Sequence, residues 1–390
     1  MLRGSLAGVL FYSQARRELV LSQIGSECSR FKHSARFSPG CVTLSASEGR
    51  TLPAWTSTRG ALTIVGLLCL ASCAPAPSPL PPQAPPRITV VAGGDILLAR
   101  ALGERMERSG DYTLPFAGIA PVLSAADIAF GNLEGAFCEK PPYTKDGMIF
   151  RIRPRGVESL VFAGFDVVSV ANNHFSDGGN ACMEFSLARL RAAKIAPVGA
   201  AFNYDDAHAG AIVIRHGVRF AFLGYSYAPR NDAPGAKNAV IAGRDPAQVR
   251  RDVAAARARA DVVLVSLHDG AEYSRNVARE TLEFAHAAID AGATAVFGHH
   301  PHVPQRIEEY ASGWIFYSLG NFVFWQNDPP ATRTALLARL TFSGAKLEKA
   351  EALPLVIDSP GVPRLANEKE AVPILKSAGL VSPVVWQKSP

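Results

Sequence analysis

Thr294-Ala295-Val296-Phe297-Gly298-His299-His300-Pro301-His302-Val303 is a short apolar run that breaks abruptly into a histidine cluster. A β-branched and aromatic run of this length reads as a buried strand, and the glycine after it lets the chain turn. Three of the eight histidines that follow residue 86 fall within four positions. On extended backbone the alternate pair His300 and His302 faces one side. Imidazole is the commonest protein metal ligand, and charge repulsion makes such a cluster a poor choice for packing. The stretch predicts a strand whose carboxyl end carries a metal-binding loop, which is where α/β sheets usually place their sites.

The same arrangement recurs along the chain. Residues 88–92 run into Gly93-Gly94-Asp95, and residues 127–130 into Gly131-Asn132-Leu133-Glu134-Gly135. Asn132 and Glu134, two apart on extended backbone, share a face and both carry oxygen ligands. Residues 166–170 lead to Ala171-Asn172-Asn173-His174, with Asp177 behind it; residues 261–267 lead to His268-Asp269-Gly270-Ala271-Glu272-Tyr273. Asn173 beside His174 can supply a neutral oxygen ligand and a proton donor. Tyr317-Ser318-Leu319-Gly320-Asn321 ends a further strand and shapes the pocket floor. Singly, each of these has a plainer use as a Gly-Asp turn, an Asx turn, a helix cap or a packed histidine. Their repetition at strand ends is what points to chemistry.

Strands at 88–92, 127–130, 166–170, 219–224, 261–267, 294–297 and 314–318 alternate with helical stretches at 157–163, 181–193, 246–260 and 277–291. Pro246 at a first helical position and Gly292 after a last turn fit the usual helix punctuation. The alternation predicts an α/β fold with central sheets covered by helices. Residues 227–244 read as a long surface loop, and the alternating segments 334–342 and 346–354 as antiparallel strands closing the second sheet. Arg250, Arg251, Arg257 and Arg259 are the solvated face of a helix.

The formal charge of +6 comes from the leader: residues 1–72 hold eight Lys and Arg against three Asp and Glu, leaving 32 against 31 beyond. With no basic stripe in the remainder, nucleic acid is an unsuitable partner. Arg59 precedes the apolar run 61–71, which is too short to span a bilayer but suits a signal-peptide core. Leu70-Ala71-Ser72-Cys73 resembles a lipobox, so residues 52–73 are expected to be a signal peptide lipidated at Cys73. Residues 74–86, rich in Pro and Ala, form a tether to a domain at 87–390. Residues 1–51 lie upstream of a complete signal and are expected to be a mis-assigned or disordered extension. Export permits a disulfide between Cys138 and Cys182, and two buried thiols fit the sequence equally.

The ordered set GGD, GNLEG, ANNH, SLHxGxEY, GHHPHV and YSLGNFVF, spanning residues 93–324, resembles the CapA/PgsA-type capsule-synthesis proteins of poly-γ-glutamate biosynthesis, a branch of the calcineurin-like metallophosphoesterases. That resemblance implies two facing mixed β-sheets flanked by helices, a four-layer sandwich whose loops hold one or two divalent metals. Asp95, Asn132 or Glu134, Asn173, His268, His300 and His302 then match metal ligands, and His174 matches the histidine that protonates a leaving group, with Asn173 beside it. Leu97 stands where the superfamily has a histidine, Asn132 where it has an acid, and Asp269 where the narrower family often has an aromatic residue. The first two departures weaken one of two metal sites. Mixed nitrogen and oxygen ligands suit Mn, Fe or Zn. Arg151 and Arg153 are candidate clamps for an anionic substrate, although a solvated strand edge would also use them. Glu272, His299 and Asn321 complete the expected substrate side.

Two functions follow from the resemblance. One is a metal-dependent phosphoesterase of the cell envelope, lipid-anchored on its periplasmic or extracellular face. The other is a non-hydrolytic accessory protein that binds an anionic capsule polymer for synthesis, export or anchoring, within a capsule-synthesis membrane complex.

Overall fold

A computed structural model describes residues 84–326, 328–358 and 360–380, with the backbone of Val385–Gln387. The expected signal peptide with Cys73, the expected extension 1–51 and residues 74–83 of the expected tether lie outside the described residues. In chain order the main elements begin with β1 (Arg87–Ile96), α1 (Arg100–Ser109), β2 (Ile128–Leu133), α2 (Val157–Ala163), β3 (Val167–Ser169), α3 (Gly179–Ala192) and β4 (Ala196–Val198). Next come α4 (Tyr204–Ala209), β5 (Ala211–Arg215), β6 (Val218–Ser226), α5 (Pro246–Arg257), β7 (Val262–His268), α6 (Arg279–Asp290) and β8 (Ala295–His299). The chain closes with β9 (Ile307–Tyr310), β10 (Gly313–Phe316), β11 (Asn321–Val323), β12 (Thr334–Ser343), β13 (Lys346–Asp358), β14 (Val362–Leu365), α7 (Glu368–Ser377) and β15 (Val385–Gln387).

The first sheet runs β14-β13-β12-β1-β2-β3-β4, with β11 beside β1 and β15 beside β13; the second runs β9-β10-β8-β7-β6-β5. Both are mixed. β1, β2, β3 and β4 are parallel and β12 to β14 antiparallel, while β6, β7, β8 and β10 are parallel between antiparallel edges β5 and β9. The expectation that residues 334–342 and 346–354 close the second sheet is therefore corrected: β12 pairs with β1 and β13 with β12. Alternation identifies a strand, but edge choice depends on which neighbour the connecting loops can reach, and the pattern carries no record of that.

Side-chain alternation sorts the strands into layers. Ile88, Val90, Ala92, Ile128 and Phe130 share one core with Phe220, Phe222, Val262, Leu264, Ala295 and Phe297 from the other sheet. Phe130 lies between the sheets with its ring centroid 5.5 Å from Phe222 and 5.8 Å from Phe297. The intervening residues Val91 and Ala129 face helices α1, α2 and α3, while Val263, Val265 and Val296 face α5 and α6. The result is a four-layer sandwich, the α/β fold class that the family resemblance implied. Burial of both faces explains why the strands read as continuous apolar runs.

Cys138 and Cys182 are joined by a disulfide that pins the segment after β2 to α3. Among the described residues, no helix is long and apolar enough to cross a membrane.

Candidate metal centre

Parallel packing brings the carboxyl ends of β1, β2, β7 and β8 to one rim. Asp95 lies in register with Asn132 on one side and Asn321 on the other, and His268 with His299 in the second sheet. Glycine is required where these ends close up: a Cβ on Gly94 would sit 1.9 Å from the Gly320 carbonyl oxygen, and one on Gly298 1.9 Å from that of Tyr317. The backbone N–H of His300 then donates to Asp95 Oδ2 at 3.2 Å, tying the histidine loop to the first strand. His300 and His302 take φ values of 95° and 58°. A side chain in that region costs of order 1–3 kcal/mol, and such strain concentrates at functional sites.

Asp95, Glu134 and His302 offer ligand atoms within 4.8 Å of one another, as do Glu272, His300 and His302. His302 Nδ1 lies 3.2 Å from Asp95 Oδ2, and its Nε2 lies 3.9 Å from Glu134 Oε1. His268 reaches Asn173 Oδ1 through Nε2 at 2.8 Å, and its Nδ1 lies 3.2 Å from Asn132 Nδ2. Asn132 Nδ2 also donates to Asp95 Oδ1 at 2.8 Å, so this side chain bridges the two sheets' contributions. The rings of His268 and His300 are 4.8 Å apart. Residues as distant in sequence as Asp95 and His302 thus meet at one rim.

Burial and charge set the protonation of these groups. Burial pulls Asp95 upward, but the hydrogen bond and charge of His302 and the neighbouring histidines hold it well below the usual carboxylate range. Burial pushes Glu134 well above that range, against the pull of His302. Burial, reinforced by His300, holds His268 well below its ordinary value, and burial with His302 brings His300 down to about 4. Both imidazoles are thereby kept neutral, the state in which they can ligate. Burial would lower His302 too, yet Glu134 and Asp95 raise it to about 9, so a cation bound by this ring must displace a proton from it.

The donor set fits a cation. Both carboxylate oxygens of Glu134 are buried with no hydrogen-bond partner, and so is His300 Nδ1. Buried polar atoms are ordinarily satisfied, so these unpartnered atoms beside Asp95 and His302 suit the binding of a cation. His174 stands at the edge: its Nδ1 is held by Asp177 Oδ2 at 2.7 Å, and its Nε2 lies 3.8 Å from Glu134 Oε1. Asp177 Oδ2 also accepts the backbone N–H of Phe150, whose ring lies 3.9 Å from that of His174.

The other expected site residues distribute unevenly. Asn321 Oδ1 accepts from His302 Nδ1 at 2.9 Å, inside the centre. Glu272 is exposed at its opening. His299 is fully buried beneath, with burial lowering it to about 4, and it offers no surface to a substrate. Arg153 is spent on Glu104 and Glu107, at 2.7 and 3.4 Å. Arg151 directs Nη2 to the Lys140 carbonyl. Among the described residues, no hydrogen bond or ion pair of either arginine reaches the candidate ligands. Sequence reading missed Tyr227, whose ring packs 4.7 Å from His300, and Arg100, five residues past Asp95. The position of Arg100 just beyond the first strand-end motif was its only mark in the sequence.

Residues 89–326, from β1 to just past β11, match the family profile of the bacterial capsule synthesis protein PGA_cap. The chain belongs to that family. It is 32% identical over 255 residues to the capsule biosynthesis protein CapA of Bacillus anthracis, covering 62% of this chain and 60% of that one. It is 32% identical over 242 residues to the PGA biosynthesis protein CapA of Bacillus subtilis strain 168, covering 60% of this chain and 62% of that one. The chain thus spans about three-fifths of the length of these two relatives. Among solved structures, a Staphylococcus aureus protein named provisionally as a 5'-nucleotidase aligns at TM-score 0.43 with 13% identity, over 73% of this chain and 57% of that one.

Proposed function

We propose that this PGA_cap protein is a metal-dependent phosphoester hydrolase of the cell envelope, acting in the making of a capsule polymer of the poly-γ-glutamate type. The observation that carries the reading is the buried Glu134 carboxylate, both oxygens without a partner, beside Asp95 and His302 and facing His174 Nε2. Asp95, Glu134 and His302 would hold a divalent ion, with His268, Asn173, His300 and Asn132 as further candidate ligands; Mn, Fe or Zn suits this mixture. When bound, the divalent cation supplies a Lewis acid that offsets phosphoryl charge and makes a nearby water a stronger nucleophile.

His174 does the proton work. Asp177 fixes its Nδ1, which leaves Nε2 directed toward the centre. As water oxygen adds to phosphorus, the bond to the leaving oxygen breaks and takes its electron pair with it. That oxygen receives the proton from His174 Nε2, and the proton shed by the added water restores Nε2–H, giving an alcohol and a phosphate. Lipidation at Cys73 after signal cleavage would hold the domain at the membrane on its tether, with two acyl chains giving a stable anchor.

The reading is tested with full-length protein loaded with each candidate metal against a panel of phosphoesters. At least one should be hydrolysed, and His174→Ala should lose roughly 10²- to 10⁴-fold in turnover at unchanged metal content. Hydrolysis by His174→Ala at the wild-type rate, or none by wild type, rejects it. A second reading draws on the names of the relatives, which speak of biosynthesis. In it the same pocket binds an anionic capsule strand for synthesis, export or attachment and cleaves nothing. Binding of γ-glutamyl polymer lost in His300→Ala, without phosphoester turnover in wild type, favours that alternative.

A further inference from the structure

We propose that Arg100 is the anion-recognising cation of this centre, a guanidinium set at the rim to hold an oxyanion of the substrate. The proposal rests on the metal-centre reading and supplies the group that Arg151 and Arg153 do not.

Arg100 opens α1 in the left-handed region, with φ 55°. That conformation suits glycine far better than a long side chain, so a strained backbone is aiming this residue. Its backbone N–H donates to the Thr144 carbonyl at 2.9 Å. Its Nε and Nη2 both donate to the Gly147 carbonyl, at 2.9 and 2.6 Å, and Nη2 also meets Met148 Sδ at 3.1 Å. One edge of the guanidinium is therefore fixed to the loop between Cys138 and Phe150. Its remaining nitrogen, Nη1, has no hydrogen-bond partner among the described residues.

The aromatic wall of the centre places the guanidinium itself. Arg100 Cζ lies 4.6 Å from the Phe150 ring centroid and 5.9 Å from that of Phe324. Phe150 stacks on His174 at 3.9 Å, and Phe324 lies 4.9 Å from His302. The cation thus flanks the proton donor and a metal ligand across two rings. The acidic groups that act on it are Glu134, Tyr273 and Asp146, and the half-buried guanidinium is partly stripped of water. A guanidinium held this way is pre-organised for a phosphoryl or carboxylate group: little freedom remains to be lost on binding, and its free N–H bonds are charge-assisted.

Two probes separate the oxyanion sources. Inorganic phosphate and a short γ-glutamyl oligomer are titrated calorimetrically into metal-loaded, full-length wild type, Arg100→Met and Arg100→Lys, with metal content and thermal midpoint measured on each. At unchanged metal content, Arg100→Met should weaken one or both probes by about 10- to 100-fold, the value of a charged hydrogen bond. Loss confined to phosphate assigns a phosphoryl group, and loss confined to the oligomer a carboxylate. A lysine cannot clasp Gly147 and reach the ligand together, so Arg100→Lys should weaken the same probe by about threefold or more. If Arg100→Met fails to fold, the lysine variant decides. Unchanged affinity for both probes in a folded variant, or binding of neither by wild type, overturns the proposal. Phosphate binding that depends on Arg100 without any phosphoester turnover removes the hydrolase reading and leaves Arg100 in place. Turnover with phosphate binding indifferent to Arg100 does the reverse.

Discussion

Glu134→Gln separates a ligand from a structural carboxylate, because the two roles predict opposite signs. The Glu134 side chain is fully buried, neither oxygen is hydrogen-bonded to the protein, and burial pushes its pKa well up. An unsatisfied buried polar group costs about 1–3 kcal/mol, more when charged. The nearly isosteric glutamine removes the charge, so metal-free Glu134→Gln should be more stable than wild type by about 1 kcal/mol or more. Metal reverses the order. A ligand at 100 times its Kd stabilises the native state by about 2.7 kcal/mol; if the substitution weakens binding a hundredfold, about 0.4 kcal/mol remains at the same concentration. Urea unfolding of both proteins, with chelator and with a fixed excess of Mn, reads both effects directly. A metal-free Glu134→Gln that is less stable than wild type, with an undiminished response to metal, would refute the reasoning.

Asp177→Asn keeps a hydrogen bond to the Phe150 N–H but loses the charge that orients His174; turnover should fall by on the order of tenfold or more at constant metal content, read by steady-state kinetics. Cys182→Ala opens a loop of sequence separation 44; the chain-entropy estimate puts the loss near 4 kcal/mol, to be measured by urea unfolding against the oxidised wild type. His208 gives a pH dependence remote from the centre. Burial lowers its pKa, but hydrogen bonds to Asp232 and Asp252, both 2.8 Å, outweigh that and raise it to about 9. A raised histidine pKa contributes stability that is fully present below the unfolded value and lost as pH rises through the folded one. Relative to His208→Gln, wild type should hold an advantage of up to about 3 kcal/mol at pH 6 that shrinks toward pH 10. An advantage that does not change with pH contradicts the assignment.

The layers were legible because burial on both faces writes strands as unbroken Val, Ile and Phe runs, as at 261–267 and 294–297. The convergence of the candidate ligands was legible for a different reason. Parallel strands place their carboxyl ends together, so Asp95, Asn132, His268 and the histidine loop needed only to follow their strands to meet. What sequence left dark was tertiary. The sheet that receives β12 and β13 is decided by loop reach. Arg151 and Arg153 look available as bare residues, and only Glu104 and Glu107, 49 and 46 positions away, reveal that Arg153 is taken. Arg100 has no company in sequence at all; its meaning comes from Gly147, Phe150 and Phe324, which folding brings beside it. The network of His208, Asp232, Asp252 and Tyr225 is equally scattered, and it ties α4 to α5 and to the loop that follows β6.

Crystals of the full-length protein soaked in Mn and measured at a wavelength where Mn scatters anomalously ask the decisive question. An anomalous peak within coordination distance of Asp95, Glu134 and His302, with the Glu134 carboxylate among its ligands, is the expected result. A peak bound only by surface carboxylates, or no peak at saturating Mn, contradicts the metal centre and everything built on it.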